Sequence, residues 1–249
     1  MITEYFRPTT IEEALALIAR PDVLPMGGGT LLSRSSERSY AVIDLQALAL
    51  DKIHKTGEKL EIGATVTLQL LLESPHAPAA LKAALLLEAP LNLRNQGTLA
   101  GTLVASDGRS PLATAMLALD AQVVFAGEVK KVNLGNFLPM RSSLLKNRLI
   151  TRIDIPLNAR LTFETVARTP ADRPIVCAAL AQWPSGRTRL ALGGWGGAPL
   201  LAMDGSEPGG VEDAARNAYS EAGDEWASAE YRREIAAVLA KRCLELNRS

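Results

Sequence analysis

Two glycine-rich turns constrain this chain more than any other feature. The first is Met26-Gly27-Gly28-Gly29-Thr30-Leu31 and the second is Asn95-Gln96-Gly97-Thr98-Leu99-Ala100-Gly101-Thr102. Each places small residues and a threonine hydroxyl where a helix can begin, which presents backbone N–H groups to an anion, most commonly phosphate. Two such turns in 249 residues suggest a ligand with two phosphates, such as a dinucleotide. The familiar nucleotide signatures are absent. Gly27-x-Gly29 would need a third glycine at position 32, which is Leu32, so the Rossmann fingerprint fails. No GxxxxGK[ST] or GxSxG occurs.

Punctuation around the turns organises the rest. Thr9/Glu12 and Thr10/Glu13 form overlapping capping boxes before Ile11, Ala14, Leu15 and Ile18, which predicts a first helix stopped by Pro21. Val23-Leu24-Pro25-Met26 reads as a strand into the first turn, followed by a strand at Ala41–Leu45, so the chain is expected to open helix, strand, turn, strand. Further strands are expected at Leu60–Gly63, Ala121–Phe125 and Arg148–Ile155. Helices are expected after Thr65 or Thr67, at Ala79–Glu88 and at Leu112–Leu119, and a helix or strand after the second turn. Beyond Pro156, strands at Leu161–Ala167, Val176–Trp183 and Arg187–Leu192 precede a loop at Ala202–Gly210. Helices at Val211–Ala222 and Ala229–Leu246 complete an α+β unit. A boundary is placed near residue 158.

Catalytic chemistry is poorly supplied. His54 and His76, the only histidines, read as surface loop residues. Cys177 and Cys243 lie in apolar runs and read as buried free thiols of a reducing cytoplasm; no CxxC pair supports a zinc site or an iron–sulfur cluster. Net charge is zero, which predicts no attraction to nucleic acid or anionic membrane. No signal peptide or membrane span is evident, so a cytoplasmic location is expected. Any reactive group would then belong to a bound cofactor. Arg94 either pairs with phosphate or sits in a surface ion pair. Asp107 either meets a ribose or flavin ring or caps a helix beginning at Pro111. Gly193-Gly194-Trp195-Gly196-Gly197 reads as a sharp turn anchoring Trp195, and Ser228–Glu234 as a helix start with a solvated charged face.

Taken in order, these residues resemble the FAD-binding (medium) subunit of the molybdenum hydroxylases, the xanthine dehydrogenase and carbon monoxide dehydrogenase family. Phe6–Ala14 is similar to the family's opening P-x-x-x-x-E-A, Gly27–Thr30 to its A-G-G-T turn and Arg94–Leu103 to R-N-x-G-T-I-G-G-N-L. Leu117–Ala121 is similar to L-A-L-D-A, and Leu149–Pro156 resembles the strand that closes the FAD domain. Leu192–Gly194 and Ser228–Arg233 resemble hallmarks of its C-terminal domain. The resemblance spans nearly the whole chain. It implies an α+β fold: a two-subdomain FAD-binding domain of the vanillyl-alcohol-oxidase/PCMH type over residues 1–158, with subdomains of about 1–56 and 57–158, then a small α+β C-terminal domain over 159–249.

It implies FAD as cofactor, with both glycine turns on its pyrophosphate. The implied contacts are Met26, Gly27, Gly28, Gly29, Thr30, Leu31, Asn95, Gly97, Thr98, Leu99, Gly101, Thr102, Ser106, Asp107, Arg109 and Leu149, with no catalytic residue and no metal ligand. It implies two partners, a [2Fe–2S] small subunit and a molybdopterin large subunit, and an acceptor such as NAD or oxygen. The chain departs from the pattern at Ala100, Thr102, Leu31, Pro111 and Thr165, where glycine, asparagine, aspartate, aspartate and lysine are common. Two other readings stand beside the flavin subunit: a relative that keeps the fold without stable flavin, and an unrelated nucleotide-binding protein. Gly28→Asp is expected to abolish FAD binding while leaving the fold intact.

Overall fold

The computed structural model describes residues 1–33 and 37–248. Three sheets organise the chain. Strands β1 (Ile2–Phe6), β2 (Val23–Met26) and β3 (Tyr40–Asp44) form a parallel sheet in the order β1-β3-β2. Helix α1 (Ile11–Ile18) begins as the capping pattern predicts. Thr10 Oγ1 accepts from the Glu13 N–H at 3.2 Å, and the Glu13 carboxylate accepts from the Thr9 N–H at 2.9 Å. Ala14 and Ile18 then pack against Val23 and Ile43 in a small core that also takes in Leu149.

The next stretch contains β4 (Ile53–Thr56), β5 (Lys59–Gly63), α2 (Leu68–Glu73), α3 (Ala79–Glu88), α4 (Leu91–Gln96), α5 (Leu99–Ala105) and α6 (Pro111–Ala118). It continues with β6 (Gln122–Phe125), β7 (Val132–Asn133), α7 (Leu134–Leu144) and β8 (Ile150–Pro156). Its strands make an antiparallel sheet in the order β4-β5-β8-β6-β7. All eight residues of α6 are buried, so this helix is central rather than amphipathic.

The last stretch is an antiparallel meander of β9 (Arg160–Val166), β10 (Val176–Gln182), β11 (Thr188–Gly193) and β12 (Leu200–Gly205), followed by α8 (Val211–Ala218) and α9 (Ala229–Arg248). Strand β10 shows why its sequence is apolar without alternation. Ala179 and Ala181 join the core around α6, while Ala178 and Leu180 join the core under α8 and α9. Both faces of the sheet are covered, which removes the period-2 signal.

Five expectations are corrected. A strand, β1, precedes the first helix; its residues are mostly exposed, so no buried face marks it in the sequence. His54 lies on the edge strand β4, not in a loop, although it is exposed as expected. Strand β7 and helices α4 and α7 lie outside the expected elements; α4 runs directly into the second turn, and Gly135 and Pro139 interrupt α7, yet Leu134, Phe137 and Leu138 are buried at helical spacing. The expected loop at Ala202–Gly210 is a strand as far as Gly205, held by pairing to β11. The run opening the last helix is not wholly solvated. Arg232 is fully buried, donating to the carbonyls of Ile175, Ala222 and Ala227 and to Asp224.

The glycine cluster after β11 joins the meander to the loop before α6. Gly108 N–H donates to the Gly196 carbonyl at 2.8 Å, and Gly194 N–H to the Gly108 carbonyl at 2.7 Å. A Cβ on Gly108 would lie 1.7 Å from the Trp195 carbonyl oxygen, so only glycine permits this backbone approach. Trp195 packs edge-on to Tyr219 and donates to the Gly223 carbonyl at 3.2 Å.

Candidate functional site

A cavity of about 900 Å³ lies between the first sheet, the second sheet with its helices, and the 167–175 connection. Its volume is ample for a dinucleotide-sized ligand. Met26, Gly27, Gly28, Gly29, Thr30 and Leu31 line it from one side, and Thr98, Gly101, Thr102, Ser106 and Asp107 from another, with Leu149 between. The first turn follows β2, whose last carbonyl, Met26 O, accepts from the Leu45 N–H at 3.1 Å. Gly29 adopts φ +68°, and its carbonyl accepts from both the N–H and the hydroxyl of Ser33. The N–H groups of Gly27, Gly28, Gly29 and Thr30 have no acceptor among the described residues. They are available to a ligand.

The second turn is built differently. The Leu99 and Ala100 N–H groups donate to the Val66 and Ala64 carbonyls at 2.8 and 3.2 Å. Gly101 N–H donates to Thr98 Oγ1 at 3.2 Å, which caps α5, and Thr102 N–H to the Thr98 carbonyl at 2.9 Å. The N–H groups of Leu99–Thr102 are satisfied within the protein.

The two turns pack back to back. A Cβ on Gly28 would lie 1.6 Å from the Gln96 carbonyl oxygen, and one on Gly27 2.5 Å from Thr98 Oγ1. This corrects the expectation for Gly28→Asp. Any side chain there collides with backbone, so the substitution would disturb the packing of both turns and not only the ligand.

Asn95, Gly97, Leu99 and Arg109 stand apart from the cavity lining. Asn95 is exposed on α4. Gly97 accepts the Leu68 N–H and Leu99 is fully buried in the core. Arg109 reaches the meander, donating to the Pro174 and Arg173 carbonyls at 3.0 and 2.9 Å, with its guanidinium 4.6 Å from the Trp226 ring centroid. Arg94 follows neither sequence reading: it donates to Gln69 and to the Ala89 carbonyl. The helix cap before Pro111 is Ser110, whose Oγ accepts from the Ala113 N–H at 3.0 Å, and not Asp107. Asp107 instead forms a two-pronged ion pair with Arg173 and accepts the Arg109 N–H at 2.9 Å. Burial pushes the Asp107 carboxyl up, but Arg173 and the Arg109 N–H draw it below its usual range. Thr165 lies on β9, outside the cavity lining.

Sequence reasoning missed Glu88, Lys146, Arg173 and Thr65, all of which line the cavity. Glu88 carried a signal. A carboxylate in the last turn of a helix opposes the dipole, which favours cations there. The cavity's arginines are already paired: Arg20 with Glu4, Arg38 with Asp22, Arg148 with Glu128 and Arg173 with Asp107. Among the described residues lining it, Lys146 is the cation without an ion-pair partner, and it is exposed. A diphosphate here would therefore be met chiefly by backbone N–H groups. These observations fit FAD: unengaged donors on a glycine surface that lets a ligand approach the backbone, in a cavity of the right size.

No cluster of metal-ligating side chains occurs among the described residues, and no helix there is long and apolar enough to cross a membrane. Cys177 and Cys243 are buried free thiols, both pushed up to about 12 by burial.

Residues 1–158 match the family described as the FAD binding domain in molybdopterin dehydrogenase. The chain is 32% identical to the uncharacterized protein YgfM of Escherichia coli K12, over 96% of this chain and 94% of that protein. It is 33% identical to the nicotinate dehydrogenase FAD-subunit of Eubacterium barkeri, over 49% of this chain and 45% of that protein. Its fold matches a chain of the reconstituted CO dehydrogenase from Oligotropha carboxidovorans with TM-score 0.78 at 24% identity, covering 98% of both chains. It also matches a chain of quinoline 2-oxidoreductase from Pseudomonas putida 86 with TM-score 0.77 at 23% identity, covering 98% of this chain and 95% of that one. The expected fold class, a two-subdomain FAD-binding domain followed by a small α+β domain, is the one observed. The chain belongs to the FAD-binding subunits of the molybdenum hydroxylase-type dehydrogenases, and its cofactor is FAD.

Proposed function

We propose that this chain is the electron-transfer flavoprotein of a multi-subunit oxidoreductase. The observation that carries the reading is the row of unengaged N–H groups at Gly27–Thr30, on the cavity wall of a domain that matches a FAD-binding family. When bound, FAD supplies the redox centre, taking electrons from the [2Fe–2S] clusters of a small partner subunit, fed by a molybdopterin large subunit, and passing them to an acceptor such as NAD or oxygen.

The chain's own residues bind and orient. Gly27–Thr30 hold the pyrophosphate through N–H donors, and Thr98, Gly101 and Thr102 support that turn from behind. Met26, Leu31 and Leu149 supply apolar wall, and Ser106 and Asp107 border the remainder of the cavity. In this reading residues 1–158 carry the flavin and 159–249 close the cavity through Arg173, which pairs with Asp107 across the two parts. Asn95, Gly97, Leu99 and Arg109 act through the scaffold.

The test is the visible absorbance of the purified chain, before and after FAD is added, followed by co-purification with candidate iron–sulfur and molybdenum subunits. Flavin absorbance retained after desalting, together with co-purification of both subunits, is the expected result. A chain that neither carries nor takes up FAD overturns the reading.

A further inference from the structure

Glu88, the last residue of α3, is the group in the cavity wall that the proposed function leaves unused. Its Oε2 accepts two hydrogen bonds, from Ser110 Oγ at 2.8 Å and from the Leu112 N–H at 3.0 Å. Both donors belong to the start of α6, so the carboxyl is held in one orientation. Its Oε1 has no partner among the described residues, and it is not among the side-chain oxygens sealed away without one, which are Asp154 Oδ1, Tyr219 OH and Asn247 Oδ1. Glu88 lines the cavity, and with Oε2 engaged Oε1 is the oxygen left to meet a ligand there.

We propose that Glu88 contacts FAD as a neutral carboxylic acid, its Oε1–H donating a hydrogen bond to an oxygen or ring-nitrogen acceptor of the cofactor. The inference rests on the reading that FAD fills this cavity. The position of the proton follows from the geometry. The Leu112 N–H is a fixed donor to Oε2, and Ser110 Oγ, which already accepts the Ala113 N–H, donates there too, so an acidic proton is best accommodated on Oε1.

The surroundings shift the carboxyl toward its protonated form. Burial pushes the Glu88 carboxyl up, Asp107 adds to this, and the Leu112 N–H, Ser110 Oγ and Arg173 pull the other way without reversing it. The charged groups facing it are Arg173 and Asp107, and both keep their charge near neutrality, Arg173 being drawn up and Asp107 down by their pairing. The Cys177 thiol nearby stays neutral, at about 12. A cofactor with two phosphates in the same cavity disfavours a carboxylate further.

Linkage fixes the consequence. Binding that prefers the protonated acid leaves affinity constant below the free-state pKa of Glu88. Above it, affinity falls by about tenfold per pH unit until the bound-state value is reached. Glu88→Gln is the isostere of the neutral acid. Its amide oxygen can accept from Ser110 and Leu112, and its amide nitrogen can donate into the cavity.

The test is fluorescence titration of FAD into the apoprotein, for the wild type and E88Q, from about pH 5 to about pH 8. The expected result is equal affinity at the acid end, loss of wild-type affinity toward the alkaline end, and a flat profile for E88Q. Parallel profiles for the two proteins, or weaker binding by E88Q at the acid end, would overturn the role of Glu88 while leaving the flavin reading standing. No FAD binding by the wild type at any pH would overturn both.

Discussion

The two glycine turns look alike as strings of residues, each a pair or triplet of glycines with a threonine, yet the fold uses them for different purposes. At Gly27–Thr30 the N–H groups meet no acceptor among the described residues. At Leu99–Thr102 they are bonded to Val66, Ala64 and Thr98. One turn is a binding surface and the other is its support, joined where Gly28 lies against the Gln96 carbonyl. Glycine serves conformation at Gly29, where φ is +68°, and close approach at Gly28, where any Cβ would overlap backbone. A glycine-rich motif therefore reports tight geometry without saying which of these demands produced it.

The largest test of this contrast is Gly28→Ala. Because the obstacle is a carbonyl and not a flexible side chain, the two turns must separate, and the loss is expected at about 3 kcal/mol or more. Urea unfolding checks it, and wild-type stability would refute the back-to-back packing. Gly29→Ala has space but the wrong φ, so it should cost about 1–2 kcal/mol and weaken FAD binding by moving the donors beside it. Thermal unfolding and FAD titration on the same sample separate the two effects.

Thr98→Ala removes the cap of α5 and should cost about 1 kcal/mol, with little change in FAD affinity. A large loss of affinity with unchanged stability would reverse the assignment of binding and support. Asp107→Asn should be the mildest, at up to about 1 kcal/mol, since both partners of its ion pair are half-exposed. Its sign is fixed by the depressed pKa of Asp107. The contribution is full above the unfolded-state pKa and is lost as pH falls through the lower folded value. Unfolding midpoints of D107N and wild type should therefore differ near neutrality and converge in acid.

Much of the fold was legible because its signals are local. The caps at Thr10 and Thr67, the stop at Pro90 and the leucine spacing of α3 each act within a turn or two of helix. Strands β1 and β4 were not legible, because they lie exposed at sheet edges and carry no buried face. Helix α7 was hidden by Gly135 and Pro139, residues that intrinsic propensity places outside helices but that the packing of Leu134, Phe137 and Leu138 overrides. In the site, the first turn was legible as a glycine motif. Arg173 was not, because it lies 66 residues further along the chain and meets Asp107 only through tertiary packing.

By itself the sequence determined the capped starts of α1 and α2, the buried thiols and the presence of two tight turns, because capping, periodicity and glycine's permitted angles are properties of neighbouring residues. Tertiary structure alone decided which turn keeps its donors free, why Gly28 admits no side chain, and how the Glu88 carboxyl is held by Ser110 and Leu112 at the cavity wall. Hydrogen-bond partners and close backbone contacts are made between segments distant in the chain, and no local pattern records whether an N–H has met its acceptor.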